Sequence, residues 1–162
     1  MAACAMTGLS VSAVLEDFGQ FIVPSLMRMY GHLLNPEWKA IDVIDCTEGT
    51  VHAVVRVKNP EAKPPKLKTK RPSPNEVLLV YTSPRQMCGL AIGIGAGLGR
   101  QFGEKVVADQ TACMHKGATR YEILLIRDCS LGTVCTDGQC SGQIFPKRYI
   151  GFLSVHPPVQ MS

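Results

Sequence analysis

The sequence predicts an α+β domain in which an antiparallel sheet of about four strands is covered on one face by helices. Three observations predict it. Short runs at residues 66–70, 76–81, 105–112 and 120–127 are rich in strand-forming residues and bounded by turn signals. A stretch from Val11 to Tyr30 repeats apolar residues at helical steps. Residues 87–103 carry glycines at four-residue intervals and need a close neighbour to be stable as a helix. With 162 residues, 46% of them hydrophobic and 19% charged, the chain suits one core, and disorder of the whole is excluded.

Each element has its own reason. Residues 1–10 are small and featureless, and are expected to fray. Val14, Leu15, Phe18, Phe21, Ile22, Leu26 and Met29 then recur mostly at three- and four-residue steps, giving a helix to about Tyr30 that Gly31 ends and Pro24 could kink. Residues 38–58 are ambiguous. Their β-branched residues flank Glu48-Gly49 and by propensity form a hairpin; at helical spacing, Val51, Val54, Val55 and Lys58 form one face behind a Thr47 cap. Propensity favours strand. Residues 59–65 hold three prolines and form an extended connector.

Residues 66–70 alternate Lys-Leu-Lys-Thr-Lys, the pattern of a strand with a basic outer face. The turn Pro72-Ser73-Pro74-Asn75 joins it to EVLLVY as an antiparallel hairpin. In the next helix, Gly89, Gly93 and Gly97 form one stripe and Gly95, Gly99 and Gly103 another. Each glycine costs about 0.8–1 kcal/mol of helix stability relative to alanine, so tight packing must compensate. The last two strands are joined at His115-Lys116-Gly117, and residues 128–162 read as a Cys/Gly-rich tail beyond a domain at residues 1–127.

The net charge of +4 is too mild to mark a nucleic-acid binder, and it is concentrated at Lys63, Lys66, Lys68, Lys70 and Arg71. That basic row fits a solvated edge strand better than a phosphate site. Seven cysteines are an odd number, and the first basic residue is Arg28, so no signal peptide is expected and a reducing cytoplasm is. The longest apolar, uncharged stretch, residues 87–98, is 12 residues long. That is short of the roughly 18 needed to span a bilayer, so no membrane segment is expected.

The glycine run fails the dinucleotide pattern at every register, because the third position is Leu98, Arg100 or Phe102. Cys129, Cys135 and Cys140, even with Cys113 and His115 added, are spaced irregularly for structural zinc. Tyr81, Ser83 and Arg85 are more informative. They stand at two-residue steps, and if the strand continues they share a face. Two hydroxyls and a guanidinium fork then form a receptor for a carboxylate pair. His52 lies 29 residues upstream of Tyr81, and Pro64-Pro65 follow His52 by 12 and 13.

The Tyr-x-Ser-x-Arg motif, His52 and the proline pair together resemble the haem-nitric-oxide/oxygen-binding (H-NOX, haem NO-binding) family. The resemblance continues through FGQFIVPSLMRMYGHLL and GLAIGIGAGLGRQFGEKV to the final strand, covering about residues 14–127. It implies an H-NOX-like fold and therefore a helix, not a hairpin, at residues 47–58. It also implies haem b as cofactor, with His52 as the proximal iron ligand, Tyr81, Ser83 and Arg85 on the propionates, and Pro65 pressed against the macrocycle. The expected function is a bacterial, cytoplasmic sensor of a diatomic gas, nitric oxide, and not an enzyme. Its signal would pass, through strain on the His-iron bond, to a partner such as a histidine kinase or cyclase, with no nucleic acid or membrane partner; homodimerisation is left open. Family members usually carry further N-terminal helices over the distal side of the haem, so this chain is expected to be a variant lacking them. A more distant similarity, through Cys113 and Gly117, is to the 4-vinyl reductase domain. That alternative implies a module without haem that binds a small molecule or a metal.

Overall fold

The structure, a computed structural model, describes residues 2–128. Cys129, Cys135 and Cys140, and the tail in which they were expected, lie outside the described residues.

Two long helices meet at their backbones. Helix α2 (Val11–Tyr30) starts at Ser10, whose hydroxyl accepts the Ala13 N–H at 3.2 Å, and it passes through Pro24 without ending. Helix α5 (Cys88–Gln101) lies against it. A Cβ on Gly89 would stand 2.7 Å from the Ser12 carbonyl oxygen, and one on Gly97 2.7 Å from Val23 Cγ2. The second glycine stripe faces elsewhere: a Cβ on Gly95 would meet Leu125 at 3.0 Å, and one on Gly99 would meet Glu104 and Val106 at 2.9 Å. Both stripes therefore exist to allow close approach, one to α2 and one to the sheet. Gly103 departs from the expected pattern. It lies beyond α5 at φ +68 with no atom near its Cβ position, and so serves the turn into the next strand.

Before α2, residues Ala2–Thr7 form a short helix, α1, where fraying was expected. Alanine and methionine, both good helix formers, make up four of the six residues of AACAMT, which composition read as featurelessness conceals.

Residues 40–58 are helical throughout, against their propensity. Helix α3 (Ala40–Cys46) buries Ala40, Ile41, Val43 and Ile44 in the core, a π-helical turn follows at Glu48–His52, and α4 (Ala53–Lys58) completes the rod. Burial of one face outweighs the β-branched preference. The expected Thr47 cap is not formed. Thr47 is itself helical, and its hydroxyl donates back to the Val43 carbonyl at 2.6 Å, as Thr50 donates to Cys46 at 2.8 Å. The helical start lies instead at Lys39, whose N–H donates to Asp42 Oδ2 at 2.9 Å, while Ala40 N–H donates to Glu104 Oε2 at 3.1 Å.

The sheet has four antiparallel strands in the order β1-β2-β4-β3, with β1 Lys66–Ser73, β2 Glu76–Thr82, β3 Lys105–Ala112 and β4 Tyr121–Asp128. Pairing of Tyr81 with both Leu67 and Tyr121, and of Leu79 with Ile123, aligns the apolar residues on the helix-covered face. Val77, Leu79, Ile123 and Leu125 are buried there, whereas Lys66, Lys68 and Lys70 on the edge strand are exposed, as their alternation predicts. Among the described residues no helix is long and apolar enough to cross a membrane.

Candidate functional site

A cleft opens between the 40–58 rod, strands β1 and β2, and α5. It contains about 740 Å³ of space free of atoms, part of it open to solvent. Its walls are mostly apolar, with Ile44, Leu67 and Leu79 on one side and Leu90, Ile94 and Leu98 from α5 on the other. His52, Pro65, Tyr81, Ser83 and Arg85 all line it, so five residues spread over 34 positions of sequence come to one cavity.

His52 ends the π-helical turn, its N–H donating to the Thr47 carbonyl five residues back at 3.0 Å. Its side chain is 15% exposed, and Nδ1 lies 3.0 Å from Glu48 Oε2. Glu48 also accepts the Leu67 N–H at 3.2 Å on Oε2 and Arg56 Nη2 at 2.7 Å on Oε1. Burial pushes the Glu48 carboxyl up, but the hydrogen bonds from His52, Arg56 and Leu67, with the Arg56 charge, outweigh it and hold the group below the usual glutamate value. An ionised carboxylate can only accept, so the contact is matched by a proton on His52 Nδ1.

Tyr81 and Ser83 are buried and Arg85 is exposed at the mouth. The strand does not continue to Arg85, as alternation required; β2 stops at Thr82 and a turn follows. In that turn Ser83 Oγ accepts the Arg85 N–H at 3.2 Å and the Ser83 carbonyl accepts the Gln86 N–H at 3.2 Å. The three side chains still reach one cavity because the turn is held from behind. The Gln86 carbonyl accepts His115 Nε2 at 3.1 Å and the Tyr121 hydroxyl at 3.5 Å. Tyr121 is fully buried and stacks at a tilt on Tyr81 with centroids 5.7 Å apart; burial, then Cys88, pushes its hydroxyl well up, so it stays a donor.

Sequence reasoning missed three contributors. Glu48 was read only as part of a turn-like pair, although its four-residue spacing from His52 is a legible helical pairing. Lys63 was counted in the basic row, but it lines the cleft and adds a second cation to its lining. Gln86 carries no side-chain signal, because its backbone is what matters. Among the described residues no group of three or more His, Cys, Asp or Glu side chains could hold a metal ion, and Cys113 and His115 gain no third ligand from them.

The donor set suits a haem. One imidazole has its outer nitrogen engaged by a carboxylate, as metal-ligating histidines usually do. Apolar walls offer a planar macrocycle a dry surface, and two hydroxyls and two cations in the lining offer donors to a pair of carboxylates.

A family model described as "Haem-NO-binding" matches residues 1–110. No curated protein matches the sequence. Among solved structures, the chain is similar to the H-NOX protein from S. oneidensis in the Fe(II)NO ligation state, at 21% identity and TM-score 0.73, over 78% of this chain and 71% of that one. It is also similar to the Fe(II) unliganded H-NOX protein from K. algicida, at 20% identity and TM-score 0.70, over 79% and 69%. A mutant H-NOX structure from T. tengcongensis gives 17% identity and TM-score 0.65, over 77% and 68%. The sheet and the helices around it thus have the H-NOX fold.

Proposed function

The chain belongs to the haem-NO-binding family, whose members are sensor domains and not enzymes, and from that premise we propose that it is a haem b sensor of nitric oxide. The observation that carries the reading is the meeting of His52, prepared by Glu48, with Tyr81, Ser83 and Arg85 in one apolar cleft. When bound, the haem supplies a ferrous iron able to take up a diatomic gas.

The chain's own residues do the rest. His52 offers Nε2 as the proximal ligand, fixed in direction by Glu48. Tyr81, Ser83 and Arg85, with Lys63, would hold the two propionates through hydroxyl donors and positive charge. Pro65 stands in the same cleft between His52 and the start of β1, where a rigid ring can press on the haem. The π-helical turn that carries His52 would connect the site to a partner such as a histidine kinase or cyclase in the cytoplasm, so that a change at His52 would reach it. Nitric oxide is favoured over oxygen because Met87, just before α5, and Leu90, Ala91, Ile94 and Leu98 along it offer no hydrogen-bond donor, and the Thr47 hydroxyl is already committed to Val43.

The test is an absorption spectrum of the purified, reduced chain titrated with haem, with and without nitric oxide. A Soret band that forms with the wild type, shifts with nitric oxide and is lost or displaced in His52→Ala supports the reading. A band that survives His52→Ala unchanged overturns the ligand assignment, and failure to bind haem overturns the whole.

A further inference from the structure

Glu48 does not itself line the cleft, yet it gathers three donors from three places. Its Oε2 faces His52 Nδ1 at 3.0 Å and the Leu67 N–H at 3.2 Å, and its Oε1 takes Arg56 Nη2 at 2.7 Å. Arg56 lies eight residues along the same rod, and Leu67 is the second residue of the edge strand, two after Pro65. The carboxylate is thereby pinned at both oxygens. Such a group cannot swing to follow the imidazole; the imidazole must turn to meet it.

We propose that Glu48 is the positioning residue of the site, holding the His52 ring in the Nδ1–H tautomer and in one orientation so that Nε2 is the nitrogen presented to a metal. This rests on the haem reading above for the identity of the metal, but not for the placing of the ring. An isolated histidine side chain in water favours the opposite tautomer, with the proton on Nε2, and the nearby carboxylate reverses that preference by accepting from Nδ1. Engagement of Nδ1 by an anion also makes the imidazole a stronger donor toward iron. The π-helical turn at Glu48–His52 sets the geometry, since its backbone hydrogen bond from His52 to Thr47 spans five residues rather than the four of α3 before it.

The experiment uses the full chain, with and without haem, in four forms: wild type, Glu48→Ala, Glu48→Leu and Arg56→Ala. The tautomer of His52 is read from long-range nitrogen–proton correlations of the ring in the haem-free protein, with His52→Ala identifying the signal. Haem affinity and the Fe(II)–His stretching frequency are read in the loaded protein. The expected result is an Nδ1–H tautomer in the wild type and in Arg56→Ala, and reversion in both Glu48 variants. Those variants should also lose about 10- to 100-fold in haem affinity and show a lower stretching frequency. Glu48→Leu keeps the bulk of the side chain, so it remains informative should Glu48→Ala fail to fold. A tautomer unchanged in the Glu48 variants, or an unchanged haem affinity, overturns the proposal. If the wild type takes up no haem, the haem reading fails and the tautomer alone decides: its reversion supports the placing role and its persistence overturns it.

Discussion

Gly93 of α5 lies so close to Glu16 of α2 that a Cβ built on it would overlap the Glu16 carbonyl oxygen. The obstacle is backbone, so no rotamer change relieves it. Gly93→Ala gains about 1 kcal/mol of helix propensity, but overpacking of this kind costs typically about 1–3 kcal/mol, and here both helices must move. The variant should therefore lower the denaturant midpoint. Gly49→Ala is the control: nothing lies within 4 Å of its Cβ position and its φ is negative, so it should leave stability unchanged or raise it by up to about 1 kcal/mol. Equal effects at the two positions would show that the helices do not meet as closely as described.

Arg85 should affect haem binding without affecting the fold. It is exposed, and its guanidinium makes no hydrogen bond or ion pair with a described residue, so Arg85→Ala should change stability by no more than about 0.5 kcal/mol. A charge-assisted hydrogen bond contributes about 1.5–3 kcal/mol, which corresponds to a loss of about 10- to 100-fold in haem affinity. Arg85→Lys should restore only part, because an ammonium keeps the charge but loses the planar fork. Haem titration of the three proteins checks this, and full recovery with lysine would reduce the role of Arg85 to charge alone.

Asp42 gives the fold an acid sensitivity whose sign is fixed by its surroundings. Burial raises its pKa, but the Lys39 N–H and the Arg71 guanidinium, at 2.7 Å, outweigh that and lower it below 3.8. A carboxyl with a lowered folded pKa stabilises the fold above the unfolded value and loses that contribution as pH falls through the folded one. The Asp42–Arg71 pair is half-exposed and joins α3 to β1, so its contribution is about 0.2–1 kcal/mol. Wild type should lose stability as pH drops below 3.8, and Asp42→Asn should be less stable at neutral pH with a flatter profile in that acid window. Denaturant midpoints across the series measure it; parallel profiles would remove Asp42 from the account.

How legible these features were in the sequence depends on where the deciding interaction lies. The four strands were legible because their runs are rich in strand-forming residues bounded by turn signals, and in β1 Leu67 alternates with lysines, patterns carried by the strands themselves. The close approach of α5 was legible because only glycine permits it. The helix around His52 was not, since Val51, Val54 and Val55 locally favour strand and the decision rests on burial of Ile41 and Ile44 earlier in the same rod. It took the family resemblance to reach it. Tyr81, Ser83 and Arg85 were singled out by a strand alternation that stops at Thr82, and they converge through a turn instead. The hydrogen bonds that hold that turn, from His115 and Tyr121, come from residues 29 and 35 positions away and leave no local trace.

That turn supplies the last prediction. Gln86 has φ +50, a left-handed conformation that costs a residue with a Cβ roughly 1 kcal/mol or more, and glycine much less. What holds it is its carbonyl, which accepts from His115 Nε2 at 3.1 Å and from the Tyr121 hydroxyl at 3.5 Å, and not its exposed side chain. Gln86→Gly keeps the carbonyl and relieves the conformation, so it should raise stability by up to about 1 kcal/mol and leave haem affinity as it was. His115→Ala removes a donor while the conformation remains, and should lower stability by about 0.5–1.5 kcal/mol. Because the turn carries Ser83 and Arg85, haem affinity should fall with it. Opposite signs in thermal unfolding are thus expected from two substitutions on one hydrogen bond. A destabilised Gln86→Gly would mean that the side chain, and not the carbonyl, anchors the segment that presents Arg85.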